Sequence, residues 1–208
     1  MNSLDHLAGW NNRLVDLPGL KAWQHLAPSD RRLYPQEGER VKESAVMVLL
    51  FELEGGLHTL LIQRSRFPGD VHSGQLSFPG GKRDALDEDL IATAQRETFE
   101  EIGIHSDRIE VVGCLTPLYV FVSSFEITPV IGIMSDVPSV TLSADEATQY
   151  YFVPLSKLMD PANLKRTNIT RSNGVTLTDV PYFDIGLKVP LWGATAMILS
   201  ELLEVLKR

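Results

Sequence analysis

A single cysteine, Cys114, stands among 208 residues. No disulfide can form within the chain, which fits a reducing compartment and gives the expectation of a cytoplasmic protein. Cys114 lies between Gly113 and Leu115 with no basic residue nearby in sequence, so it reads as a small core residue rather than a nucleophile. Long hydrophobic runs are also missing. The longest, Ala45 to Phe51, is far too short to span a bilayer. Met1 to Trp10 carries Asp5 and no basic cluster, unlike a secretory signal. Positive charge is in the minority, 19 Lys and Arg against 27 Asp and Glu, for a net charge of −8. That balance argues against broad contact with nucleic acid or an anionic membrane. A small anionic substrate stays open, because metal ions supply local positive charge. Internal repeats and low-complexity tracts are absent.

What is present is the composition of a folded domain, 44% hydrophobic and 22% charged residues. The length suits one domain, or one domain plus an extension. Residues 1–40 are irregular, broken by Pro18, Pro28 and Pro35, with short amphipathic pieces such as Leu4 to Leu17. They are expected to form an N-terminal extension packing on a main domain at 41–208. Ala45 to Leu53 reads as a buried strand, Gly55-Gly56 as a turn and Leu57 to Gln63 as the returning strand. A loop rich in Gly and Pro runs from Phe67 to Gly81. A helix follows over Asp87 to Ile102, then strands at Ile109 to Thr116, Phe125 to Met134 and Tyr150 to Val153. Pro154 starts a helical turn to Leu158, and Val175 to Phe183 reads as a hairpin arm. The last helix, Leu191 to Leu206, has apolar Ala194, Ile198, Leu202 and Val205. Its apolar face leaves two outcomes open, packing on its own sheet or on a second copy as a homodimer. Strands flanked by two clear helices predict a mixed-sheet α/β sandwich.

The chemistry concentrates between Gly80 and Ile104. On the predicted helix, Ile91, Ala94, Thr98 and Ile102 share one stripe, while Glu97, Glu100 and Glu101 fall on another face at i,i+3 and i,i+4 spacing. Three like charges on one face repel unless a cation compensates them. Arg96 reaches Glu100 at i+4, but one arginine does not neutralise three acids. Clustered carboxylate oxygens suit a hard cation, Mg²⁺ or Mn²⁺. Taken alone, three glutamates are more often a solvated face. Here Phe78-Pro79-Gly80-Gly81 leads into the helix and Gly103 ends it. Glycine lets the backbone approach a ligand closely. An acidic helix, bare backbone and a bound cation together suit a phosphoanhydride substrate.

Arg96 to Ile104 resembles the core of the Nudix hydrolase motif, Arg-Glu-U-x-Glu-Glu-x-Gly-U with U bulky and apolar; Thr98 stands at the first U. Counting back from Arg96, the motif's earlier glutamate falls on Glu88 and its glycine on Lys82. Either the loop from Gly81 is one residue longer than the pattern or Asp87 takes the acid's place. The resemblance extends over roughly Ser44 to Leu199. Leu60-Leu61-Ile62-Gln63-Arg64-Ser65, Gly74 and Phe78-Pro79-Gly80-Gly81 are similar to the segment upstream of the motif in coenzyme A pyrophosphatases. Ser143-Ala144-Asp145-Glu146 before Tyr151-Phe152-Val153-Pro154-Leu155, and Trp192-Gly193-Ala194-Thr195-Ala196, resemble that subfamily's downstream segments. Asp70 stands where the pattern has an arginine, Ile62 where it has a threonine, and the spacing from Arg64 to Gly74 is one residue longer.

The resemblance implies an α/β/α sandwich with a mixed β-sheet between helices, and metal-dependent hydrolysis of a diphosphate. Coenzyme A or a derivative would yield 3′,5′-ADP and 4′-phosphopantetheine. By position, Glu97 and Glu101 would be primary metal ligands, Glu100 a third acid and the Gly81 carbonyl a further ligand. Glu146 would act as general base or extra ligand, and Arg96 would orient the helix acids. Arg64, Arg66, Lys82 and Arg83 flank the site and would offset substrate charge, although each alone is more often a solvated surface residue. Phe67, Tyr119 and Phe121 are candidates for adenine or pantetheine contact, with core packing the commoner role of an aromatic. His72 reads as a structural loop residue. Two other readings stand beside this one: a Nudix enzyme acting on another nucleoside diphosphate derivative, and a non-catalytic nucleotide-sensing module.

Overall fold

The computed structural model describes residues 9–29, 31–67 and 69–208. The early part of the amphipathic piece expected at Leu4 to Leu17 lies outside them. Within them that piece forms a short helix, α1 (Trp10–Arg13), followed by α2 (Leu20–Trp23).

The centre of the fold is β1 (Lys42–Leu53), whose apolar run alternates between two cores. Ala45, Met47, Leu49 and Phe51 face one side; Val48 and Leu50 face the other. β2 (Gly56–Arg64) repeats the pattern, sending Leu60 and Ile62 to the first core and Leu61 to the second. β1 pairs antiparallel with β2 through the hairpin at Glu54–Gly55, and parallel with β7 (Phe125–Ile133) along nine residues from Lys42 to Leu50. The remaining members of the sheet are β3 (Leu76–Ser77), β4 (Gly80–Lys82), β5 (Glu110–Cys114), β6 (Leu118–Val120) and β8 (Ala147–Pro154). The parallel β1–β7 pair among antiparallel neighbours makes it a mixed sheet.

One face is covered by α3 (Leu90–Ile102), which contributes Ala94 and Ile102 to the first core. The other face is covered by α5 (Gly193–Leu206), together with α1, α2 and α4 (Leu155–Met159). This is the α/β/α sandwich the sequence predicts. A second sheet, β9 (Leu164–Thr170), β10 (Thr176–Phe183) and β11 (Leu191–Trp192), adds a small core of Ile169, Leu177, Val180 and Trp192.

Several boundaries move. The helix expected from Asp87 begins at Leu90, because Asp89 caps it by accepting from the Ala92 N–H at 2.7 Å while Asp87 is drawn into a tertiary ion pair. It ends at Gly103, whose φ of 72° is the left-handed conformation of a helix stop. The last helix begins at Gly193 rather than Leu191, because Leu191 and Trp192 pair with Phe183 and Tyr182.

The N-terminal segment is fastened to α5. Trp10, Ala22, Trp23 and Leu26 are buried in the core that holds α5, and the Ser200 hydroxyl donates to the Ala22 carbonyl at 2.7 Å. Glu201, 1% exposed, accepts from the Gly19 N–H and from both the backbone and the hydroxyl of Thr116. The apolar face of α5 is thus covered within one chain. Among the described residues, no helix is long and apolar enough to cross a membrane.

Candidate active site

α3 runs beside β4, and its carboxylates meet the backbone of the two glycines. Glu101 is 2% exposed and accepts from the Gly80 N–H at 2.8 Å. Helical periodicity places Glu101 on the polar face; in the fold that part of the face is closed by β4. A Cβ on Gly81 would run into the Glu97 carboxylate, and one on Gly80 would collide with the Ala45 carbonyl. Bare backbone at both positions is what lets strand and acidic helix pack this closely.

Arg96 organises the acids. Its Nε and Nη2 bind the two oxygens of Asp87, each at 2.9 Å, in a forked pair. Its Nη1 donates to Glu97 at 2.8 Å and to Glu100 at 2.9 Å, and Nη2 also reaches the Lys82 carbonyl. Of the two acids before the helix, Asp87 engages Arg96, while Glu88 is exposed and its carbonyl accepts from Arg83. The Arg96 hydrogen bonds hold the Asp87 carboxyl well below the usual carboxylate range.

Glu97 and Glu101 are pushed the other way. Burial raises the Glu97 carboxyl; Arg96 opposes this, and the charges of Glu100 and Glu146 add to it. Burial raises Glu101 to about 7, against the Gly80 N–H and the charge of Arg64, with Glu97 and Glu146 adding to the rise. Glu146 is brought to this cluster by its loop. The Ser143 N–H donates to the Glu101 carbonyl, and the Glu146 carbonyl accepts from the Ser65 N–H, each at 2.9 Å.

Among the described residues, no group of three or more His, Cys, Asp and Glu side chains is already gathered as a metal shell. The fit of a divalent cation therefore rests on donor chemistry. Glu97, Glu101 and Glu146 repel one another, two of them are held from water, and all offer hard oxygen ligands. A cation relieves that repulsion, so the donor set suits the group.

Gly80, Gly81 and Lys82 also line a cleft of about 490 Å³, the size of a small-molecule site. Its walls come from β1 (Ser44, Val46), the loop at 69–72, the turn at Phe121–Ser123 and the start of α5. Among the described residues, Arg31, Arg64, Lys82 and Arg171 line it with cationic side chains. Of the flanking cations expected from sequence, Arg64 and Lys82 reach the cleft. Arg66 is exposed and packs beside Gly74, off the cleft wall, while Arg83 pairs with Glu43 at 3.0 Å. Phe121 lines the cleft. Phe67 is exposed off the wall, and buried Tyr119 donates its hydroxyl to Glu39. Cys114 is half-buried and burial raises its thiol, which suits packing and not attack. Arg31 and Arg171 lie far apart in the chain and in no recognisable spacing, so neither is legible as a cleft residue from local pattern.

The NUDIX domain family model matches residues 41–172. The peroxisomal coenzyme A diphosphatase NUDT7 of Mus musculus is 39% identical over 132 residues, 62% of this chain and 53% of that protein. The chain thus matches about half the length of the mouse enzyme. The uncharacterized Nudix hydrolase NudL of Citrobacter koseri is 33% identical over 174 residues, covering 82% of this chain and 87% of that one. Among solved structures, the Nudix hydrolase RenU of M. smegmatis superposes with a TM-score of 0.57 at 18% identity, over 85% of this chain and 94% of its own. A likeness at that identity speaks for the fold. With the family model matching more than half of the chain, and the acidic helix packed on its paired glycines inside the matched range, the chain belongs to the Nudix family.

Proposed function

We propose that this chain is a metal-dependent pyrophosphatase that hydrolyses the diphosphate of coenzyme A or its derivatives, releasing 3′,5′-ADP and 4′-phosphopantetheine. The observation that carries the reading is a pair of mutually repelling carboxylates, half-buried Glu97 and buried Glu101, set against Gly80 and Gly81, which line the cleft. The likeness to the mouse coenzyme A diphosphatase supports the choice of substrate.

Glu97 and Glu101, with Glu100 and the Gly81 carbonyl beside them, would hold Mg²⁺ or Mn²⁺. When bound, such an ion polarises a water and offsets charge on the phosphate oxygens. The chain's own residues do the rest. Arg96 fixes Glu97 and Glu100 by hydrogen bonds and is itself anchored by Asp87, so the acids keep one arrangement. Glu146, exposed and acting electrostatically on both Glu97 and Glu101, would take a proton from the attacking water. Lys82 and Arg64 line the cleft where the diphosphate would lie and would stabilise charge on the leaving phosphate.

The reading is tested by chromatography of products after incubation with coenzyme A, ADP-ribose and a diadenosine polyphosphate, with Mg²⁺ and with Mn²⁺. Faster release of 3′,5′-ADP from coenzyme A than turnover of the others is expected. Cleavage of ADP-ribose or the dinucleotide alone would keep the reaction and discard the substrate.

A further inference from the structure

One wall of the cleft stands away from the acids. Ser44 of β1 pairs with Lys82 of β4 on one side and with Ile127 of β7 on the other, and Ile127 pairs in turn with Leu118 of β6. β4, β1, β7 and β6 therefore lie side by side. The turn that joins β6 to β7 is at least two strand spacings, roughly 10 Å, from β4 and its paired glycines. Phe121, Val122 and Ser123 of this turn line the cleft.

The turn is held in a costly conformation. Ser124 has a φ of 54°, in the left-handed region that penalises a side chain. The other described non-glycine residues with such a φ are Asp16, Glu54 and Asp179, none of them next to a residue of the cleft. Ser124 sits between Ser123 and Phe125, which both line it. A strained residue persists where its surroundings over-determine it. Here they come largely from the segment before β1. The Ser124 hydroxyl donates to Glu39 at 3.0 Å, and the Ser124 carbonyl accepts from the Lys42 N–H at 2.9 Å. Tyr119, just before the turn, donates its hydroxyl to Glu39, and the Tyr119 carbonyl accepts from Arg31 at 2.7 Å. Arg32 pairs with Glu39 at 2.8 Å. On the cleft side, the Ser123 hydroxyl lies 3.4 Å from His72 Nε2 of the opposite loop. Glu39 thus gathers the N-terminal segment, Tyr119 and Ser124 at one carboxylate, while it does not line the cleft itself.

We propose that Glu39 is a positioning residue for substrate binding: it holds Ser124, and with it the Phe121–Ser123 turn, as the wall that meets the substrate away from its scissile diphosphate. The inference rests on the pyrophosphatase reading above and extends it to a segment that reading leaves out. A wall that is in place only part of the time lowers apparent affinity by that fraction, and leaves the chemistry of bound substrate as it was.

The test is steady-state kinetics on coenzyme A near pH 7 in wild type, Glu39→Gln and the double variant Glu39→Gln/Ser124→Gly, with melting temperature measured beside it. Glu39→Gln should raise KM by about 10-fold and leave kcat within about 2-fold. Glycine takes a positive φ without steric cost, so the double variant should return KM to within about 3-fold of wild type although the carboxylate is still missing. Recovery of KM without recovery of melting temperature separates positioning of the turn from anchoring of the segment. A Glu39→Gln that melts lower with KM unchanged, a loss that falls on kcat, or a double variant no better than the single one would overturn the proposal. Calorimetric binding of coenzyme A without divalent metal gives a readout independent of turnover, and equal affinity in wild type and Glu39→Gln refutes the proposal as well. If wild type cleaves ADP-ribose or a diadenosine polyphosphate instead, the coenzyme A reading fails, while the same comparison on the compound cleaved still decides the role of Glu39.

Discussion

Arg96 touches three carboxylates at once, and its forked pair with Asp87 sets the direction of the other two contacts. Lysine at this position keeps a charge but cannot hold Asp87, Glu97 and Glu100 together. We expect Arg96→Lys to lower kcat by about 10- to 100-fold and to raise the Mn²⁺ concentration needed for half-maximal rate. A lower rate with an unchanged Mn²⁺ requirement would remove Arg96 from the positioning of the acids. The three glutamates and Arg96 are legible in the sequence because α3 has one apolar stripe and a glycine stop. The Asp87 contact is not, since nine positions separate it from Arg96 and no helical spacing relates them. Burial of Glu101 is equally hidden, because periodicity assigns a residue to a face of its own helix and says nothing of what covers that face.

At the scale of elements, two carboxylates bind the N-terminal segment to the body. Glu39 accepts from Arg32 at 3.1 Å, from Ser124 at 3.0 Å, from the Gln36 N–H at 2.9 Å and from the Tyr119 hydroxyl. These partners, Tyr119 first, lower its carboxyl from 4.5 to about 2. A depressed acid contributes stability that is complete above its unfolded value and is lost as pH falls through the folded one. The difference in melting temperature between wild type and Glu39→Gln should therefore be largest above pH 5 and close toward pH 2. A gap that does not vary with pH would contradict this role. Glu201 is the second fastening. Glu201→Ala leaves the Gly19 and Thr116 donors unpaired in the interior, a loss on the order of 3 kcal/mol, read as a lower urea midpoint at unchanged slope. A midpoint within error of wild type would show that water satisfies these groups. The long strands β1, β2 and β7 were readable from their apolar runs. β3, β4, β6 and β11 were not, because two or three residues show no period; pairing with longer neighbours forms them.

Taken whole, the molecule brings an acidic helix and a cationic cleft to the two sides of β4 in a chain of net charge −8. The sandwich itself follows from alternation along β1 and β2 and from two amphipathic helices, features present in the sequence. The cleft depends on tertiary closure of segments as distant as Arg31 and Arg171, and no local pattern announces that. Glu97 and Glu101 are proposed to hold the ion on which hydrolysis depends. That is decided by the rate of coenzyme A cleavage against Mn²⁺ concentration, in wild type and Glu101→Gln, with melting temperature as a control for folding. Turnover that appears with Mn²⁺ in wild type and falls by about 10²- to 10³-fold in a folded Glu101→Gln is the predicted result. Equal Mn²⁺-dependent turnover in the two proteins would place the metal chemistry elsewhere.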